Sequence, residues 1–243
     1  MLPYSRGMTD ENVTDALART IETTRSAERD LFGGLDGAVL ERPIRVGDWN
    51  PKDFQAHLTA WKARQADRFA ATREGRELPP PMDDTEEDAI NAELRATRID
   101  WDWAAIVQEA DAVAERLSRE LRQSDPEVIR ASDRLMSGTF GNGVLHTLTH
   151  LRWLFEAGVP LDRARMAAFE DAALRVVSVK AIPEKGRAVG LYDIACYHAL
   201  TGSPDIARSL LRDAFRLDPD LTEYSRTDEE LLSIRDDIDG LAS

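Results

Sequence analysis

Apolar residues recur at helical spacing through most of the chain. Val13, Leu17, Ile21, Leu31 and Phe32 stand out among arginines and glutamates between Thr9 and Leu35, the pattern of an amphipathic helix with one inward face. Glycines and a proline break the period in GGLDGAVLERPIRVGDW, and Asn50 followed by Pro51 then has the form of an N-cap and first helical residue. Along this second helix Phe54, Leu58, Trp61 and Phe69 fall within about 80° of arc, with Lys62, Arg64 and Asp67 elsewhere, so one face is expected to be buried.

The run REGRELPPPMDDTEE cannot continue that helix, because of its prolines, and reads as an exposed connection. Ile106, Val113, Leu117 and Leu121 mark a third helix, with an N-terminal extension through Ile90 and Leu94 that is interrupted near Trp101. A polar stretch, SDPEVIRASDRLMSGTFGNG, leads into a fourth helix, VLHTLTHLRWLFEAG, closed by Gly158 and Pro160. The pattern predicts an all-α fold, a four-helix bundle over residues 1–160. Beyond Pro160, Gly186, Gly190, Gly202 and Pro204 cut a second helical unit, residues 161–243, into shorter pieces. There Ala195, Ala207, Ala214 and Pro219 keep the offsets of the small positions and terminal proline of a tetratricopeptide repeat. A lone repeat cannot bury its own apolar face, so this unit is expected to dock on the bundle or on another chain.

Composition narrows the function. A net charge of −14 repels phosphate backbones and anionic bilayers, which argues against nucleic-acid and membrane partners. Charges interrupt every apolar stretch well short of the ~18 residues of a membrane span, and MLPYSRGMTDEN lacks a signal-peptide core, so a cytoplasmic protein is expected. With Cys196 as the single cysteine, a metal site within one chain must use histidine and carboxylate.

Two of the four histidines are spaced i, i+4 in HTLTH, placing His146 and His150 on one helix face at the border of core and solvent. His57 borders the apolar arc of the second helix, and antiparallel packing of the second and fourth helices can join the three imidazoles. Three such ligands leave one coordination position open, as in a catalytic site. The competing reading is a hydrogen-bonded surface pair without metal. HTLTH lacks the glutamate of HExxH, which disfavours a zincin peptidase. Asp53, one turn before His57, is either an orienting partner or base for an imidazole or, as the third residue after Asn50, a capping acid. Trp49, Trp61 and Trp153 are candidates for pocket walls or core; Cys196 and His198 read as structural.

VGDWNPKDFQAHLTAW resembles the GWSxKDxxAHLxxW signature of the DinB-like superfamily, and GNGVLHTLTHLRWLFEAG resembles its HxxxH fourth helix. The resemblance covers roughly residues 10 to 160, and the acidic, proline-containing connection is most similar to the ClbS/DfsB branch. It implies a divalent transition metal, zinc or nickel first, on His57, His146 and His150. It also implies hydrolysis, or transfer using a low-molecular-weight thiol, on a small-molecule substrate. Alternatives are a non-catalytic binding protein and a metal-free hydrolase of the ClbS kind. A homodimer is expected.

Overall fold

The computed structural model describes residues 12–44, 49–78 and 84–242; residues 9–11 of the first expected helix and the prolines Pro79, Pro80 and Pro81 lie outside them. Helix α1, Val13–Phe32, starts where the Asn12 side chain accepts the Thr14 amide. A single turn, α2 (Gly37–Leu40), leads to α3, Pro51–Arg73. There Asn50 and Asp53 close a capping box: the Asp53 amide donates to Asn50 Oδ1 at 2.8 Å and the Asn50 amide to Asp53 Oδ2 at 3.2 Å. Helix α5, Trp103–Gln123, is capped by Asp102 and turns Ile106, Ala110, Ala114, Leu117 and Leu121 inward.

Two expectations are corrected. The end of the expected connection is helical and the expected extension of α5 is a helix of its own: Asp84–Ala96 forms α4, separate from α5, because the acids that look like loop residues populate its solvent face and first turn. The stretch before HTLTH is also helical. After the short α6 (Pro126–Ala131), α7 (Asp133–Phe140) runs through one π-helical turn, Gly141–Leu145, into α8, His146–Glu156. The glycines mimic a loop, yet Gly143 serves a close approach: a Cβ there would stand 2.4 Å from Ile21 Cδ1 of α1.

Helices α1, α3, α5 and α7–α8 form the bundle. Since they and α4 surround α3, this helix is buried on more than the one expected face, and Lys62 is only 4% exposed. It survives there in an ionic cluster. Lys62 Nζ donates to both Glu28 carboxylate oxygens at 2.8 and 2.7 Å, Arg25 bridges Glu28 at 3.3 Å and Asp111 at 2.9 Å, and the Thr147 hydroxyl donates to Glu28 at 3.1 Å. Burial raises the Glu28 carboxyl, but Lys62 and Arg25 outweigh it and hold the group below its usual value.

Three further helices, α9 (Arg163–Val177), α10 (Glu184–Leu200) and α11 (Pro204–Leu217), continue the same apolar core. Helix α9 packs on α1, and α10 packs on α11, α9 and the π turn. Ala195, Ala207 and Ala214 are fully buried. Beyond α11, a turn α12 (Leu221–Ser225), a 3-10 segment (Glu229–Asp237) and α13 (Ile238–Leu241) close the chain over α10 and α11. Among the described residues every regular element is helical, and no helix is long and apolar enough to cross a membrane.

Candidate metal centre

Helices α3 and α8 bring His57, His146 and His150 to one point. His146 Nε2 lies 3.0 Å from His57 Nε2 and 3.0 Å from His150 Nε2, and one nitrogen from each ring falls within 4.8 Å of the others. The ring centroids form a nearly equilateral triangle with sides of 4.6, 4.7 and 4.8 Å. The π turn contributes to this register: the His146 amide donates to the Gly141 carbonyl five residues back, which sets the angular position at which α8 presents its histidines.

Aromatic rings hold the imidazoles. Trp49 meets His57 edge-on at 5.3 Å, Trp61 stands 6.2 Å from both His57 and His146, and Trp153 packs on His150 at 4.5 Å. Phe54 packs against both His150 and Trp153. All three candidate tryptophans therefore border the histidines. In this dry setting burial pushes His57 down to about 4, against a hydrogen bond with Asn91 that works the other way. Burial, together with the proximity of His57 and Lys62, pushes His146 down to about 3. Both imidazoles are neutral at pH 7, the state a metal requires.

The donor set fits a divalent transition ion. Nitrogens bound at 2.0–2.1 Å around a tetrahedral ion lie about 3.3 Å apart, close to the 3.0 Å of the two contacts at His146 Nε2, with the third pair within 4.8 Å. Protein atoms alone satisfy the cluster poorly, since His146 Nε2 has a single proton or a single lone pair to offer and cannot make a full hydrogen bond in both of its 3.0 Å contacts. The Nδ1 atoms of His57 and His146 are buried without a hydrogen-bond partner among the described residues, so packing rather than a carboxylate orients these rings. Asp53 is placed accordingly: it caps α3 and pairs with Arg95 Nε at 3.1 Å, and no hydrogen bond joins it to a histidine.

A cavity of about 430 Å³ opens on the triad between Trp49, Phe54, Trp153 and helix α4. Asn91, Asp88 and Glu87 form its α4 wall, and Asn91 Oδ1 also accepts the Trp61 indole N–H at 3.0 Å. Sequence reasoning missed these residues as site residues: Ile90 and Leu94 mark the segment around Asn91 as helical, but nothing in their spacing tells that it packs beside the histidines. Cys196 and His198 lie elsewhere, buried on α10.

Residues 20–153 match the DinB superfamily, a span that includes all three histidines and stops before α9. Comparison with curated proteins and with solved structures found no match. With more than half of its length matched, the chain belongs to the DinB superfamily.

Proposed function

We propose that this chain is a metal-dependent enzyme that directs water or a low-molecular-weight thiol at a small electrophilic substrate, with a divalent transition ion, zinc or nickel first, on His57, His146 and His150. The observation that carries the reading is the convergence of three imidazoles on one cavity. Such an ion supplies Lewis acidity in its open coordination position, making a water or thiol nucleophilic near neutral pH. The chain's own residues do the rest. Trp49, Phe54 and Trp153 exclude bulk water and give a substrate an apolar wall, and Asn91 offers the cavity an amide beside His57. We read the protein as a cytoplasmic homodimer acting on a small molecule rather than on nucleic acid or membrane. In this reading α10 and α11 form a tetratricopeptide-like hairpin within a C-terminal unit, residues 161–243.

The test is turnover of two substrate panels, activated esters with water and electrophiles with a low-molecular-weight thiol, by stripped and zinc- or nickel-reloaded protein. Activity that appears on reloading and is lost in His146→Ala is the expected result. Activity unchanged by stripping and by His146→Ala would instead identify a metal-free hydrolase.

A further inference from the structure

A second cavity, of about 370 Å³, shares His146 and Glu87 with the first. Its walls come from two parts of the chain. Trp61, His146 and Arg152 belong to the superfamily span, whereas Asp193, Tyr197 and Glu230 come from α10 and the 3-10 segment beyond it. The C-terminal helices thus form one side of a space whose opposite side is a candidate metal ligand.

The charges of this cavity are unbalanced. Among the described residues Arg152 is its one cation, and its guanidinium is already committed, to Glu230 at 2.8 Å and Glu156 at 3.1 Å. Among the described residues Asp193 makes no ion pair or hydrogen bond, and its charged neighbours Glu230 and Asp228 repel it. Burial and these two carboxylates push its carboxyl up to about 7. An isolated, half-buried carboxylate is costly unless something pairs with it. Asp193 also borders a third cavity, about 220 Å³, whose lining includes apolar Met136, Phe140, Leu145 and Val189 together with the cations Arg130 and Lys185. It stands where a polar space leading to His146 meets a largely apolar one.

We propose that this junction is a subsite for an organic cation, a primary ammonium carried on an apolar body, and that Asp193 is the residue that selects it. In the cavity that reaches His146 an anion would meet Asp193, Glu87 and Glu230 with only the committed Arg152 to receive it, Arg130 and Lys185 lining the other cavity, and a neutral ligand would leave Asp193 to take up a proton instead of pairing. A hard divalent cation would need about six oxygen ligands, which one free carboxylate beside aromatic rings does not offer. Tyr197 suits an ammonium through its ring face; its hydroxyl is occupied with Glu170 at 2.8 Å, and the Trp61 ring already carries the Arg64 guanidinium at 5.5 Å. Taken with the metal-site reading, on which this clause rests, the substrate is an amine-bearing small molecule recognised by helices outside the superfamily span.

Benzylamine, benzyl alcohol and benzoate are titrated at pH 8 against wild type, Asp193→Asn and Asp193→Ser, by ligand-observed NMR, with metal content and melting temperature measured on the same samples. Benzylamine is expected to bind at least tenfold more tightly than either analogue. Both variants are expected to lose that preference while benzyl alcohol binding, metal content and melting temperature hold. Benzylamine binding no tighter than benzyl alcohol, or an amine preference that survives both substitutions, would overturn the subsite. A metal-free wild type that keeps an Asp193-dependent amine preference would remove the metal reading and leave the subsite standing.

Discussion

Replacing Glu28 by methionine probes the ionic cluster beneath the histidines. The substitution removes the acceptor of two Lys62 hydrogen bonds at 2.7 and 2.8 Å, of one from Arg25 and of one from Thr147, all inside the bundle. Arg25 keeps Asp111 at 2.9 Å, but Lys62, 4% exposed, is left as a buried charge without a counter-ion. Losing one partner of a buried pair costs about 3–5 kcal/mol, a large part of the 5–15 kcal/mol typical of a whole domain. Lys62→Met should cost a similar amount by stranding Glu28, with Arg25 as its remaining neighbour. The double variant leaves neither charge stranded and should be more stable than either single one. Urea unfolding of metal-free samples at pH 7, followed by far-ultraviolet circular dichroism, measures the cycle. Additivity of the two single costs within about 0.5 kcal/mol would refute the coupling and with it the cluster as a unit tying α1, α3 and α8.

His198 is pushed down from its usual 6.5 to about 4 by burial, and His57 likewise. Since the unfolded chain takes up these protons first, metal-free stability is full above about pH 6.5 and falls as pH drops toward 4, by about 3 kcal/mol per histidine over the full range. His198→Leu should flatten that slope in acid titrations followed by urea midpoint, and an unchanged slope would contradict it. Gly190→Ala would put a Cβ 2.3 Å from Val177 Cγ1, a stiff β-branched side chain. Destabilisation of about 1–3 kcal/mol, exceeding the helix-propensity gain of about 1, is expected in the same assay, and a net gain would show that α9 and α10 pack less closely. Asn91→Ala removes the acceptor of the Trp61 indole. Faster amide exchange across residues 84–96 should follow by mass spectrometry, and an unaltered exchange rate would mean that α4 is held by other contacts.

Where local chemistry and tertiary structure agree, the elements were readable in advance. Asn50, Pro51 and Asp53 announce the start of α3, and the i, i+4 spacing of His146 and His150 puts both on one face whatever packs against it. The first turn of α4 was hidden because it consists of acids following a proline run, a composition shared by loops and by helix starts, whereas Ile90 and Leu94 already marked the remainder as helical. The lower half of the fourth bundle helix was hidden by Gly138, Gly141 and Gly143. They look like breakers, and Gly143 is there because Ile21 of the crossing helix leaves no room for a side chain. Lys62 looked like a solvent-facing lysine, since its partner Glu28 lies on another helix and no periodicity couples the two. The cavity residues of α10 and the 3-10 segment were out of reach for the same reason, as only the tertiary packing brings Asp193 and Glu230 into the cavity that His146 borders.

The most direct test of the metal centre is elemental analysis of the tag-free wild type beside the His57→Ala, His146→Ala, His150→Ala triple variant, each as purified and after reconstitution with zinc or nickel. About one equivalent of a transition metal in the wild type and none in the variant is the predicted result. Absence of metal from the reconstituted wild type, or equal metal in both proteins, would contradict the site.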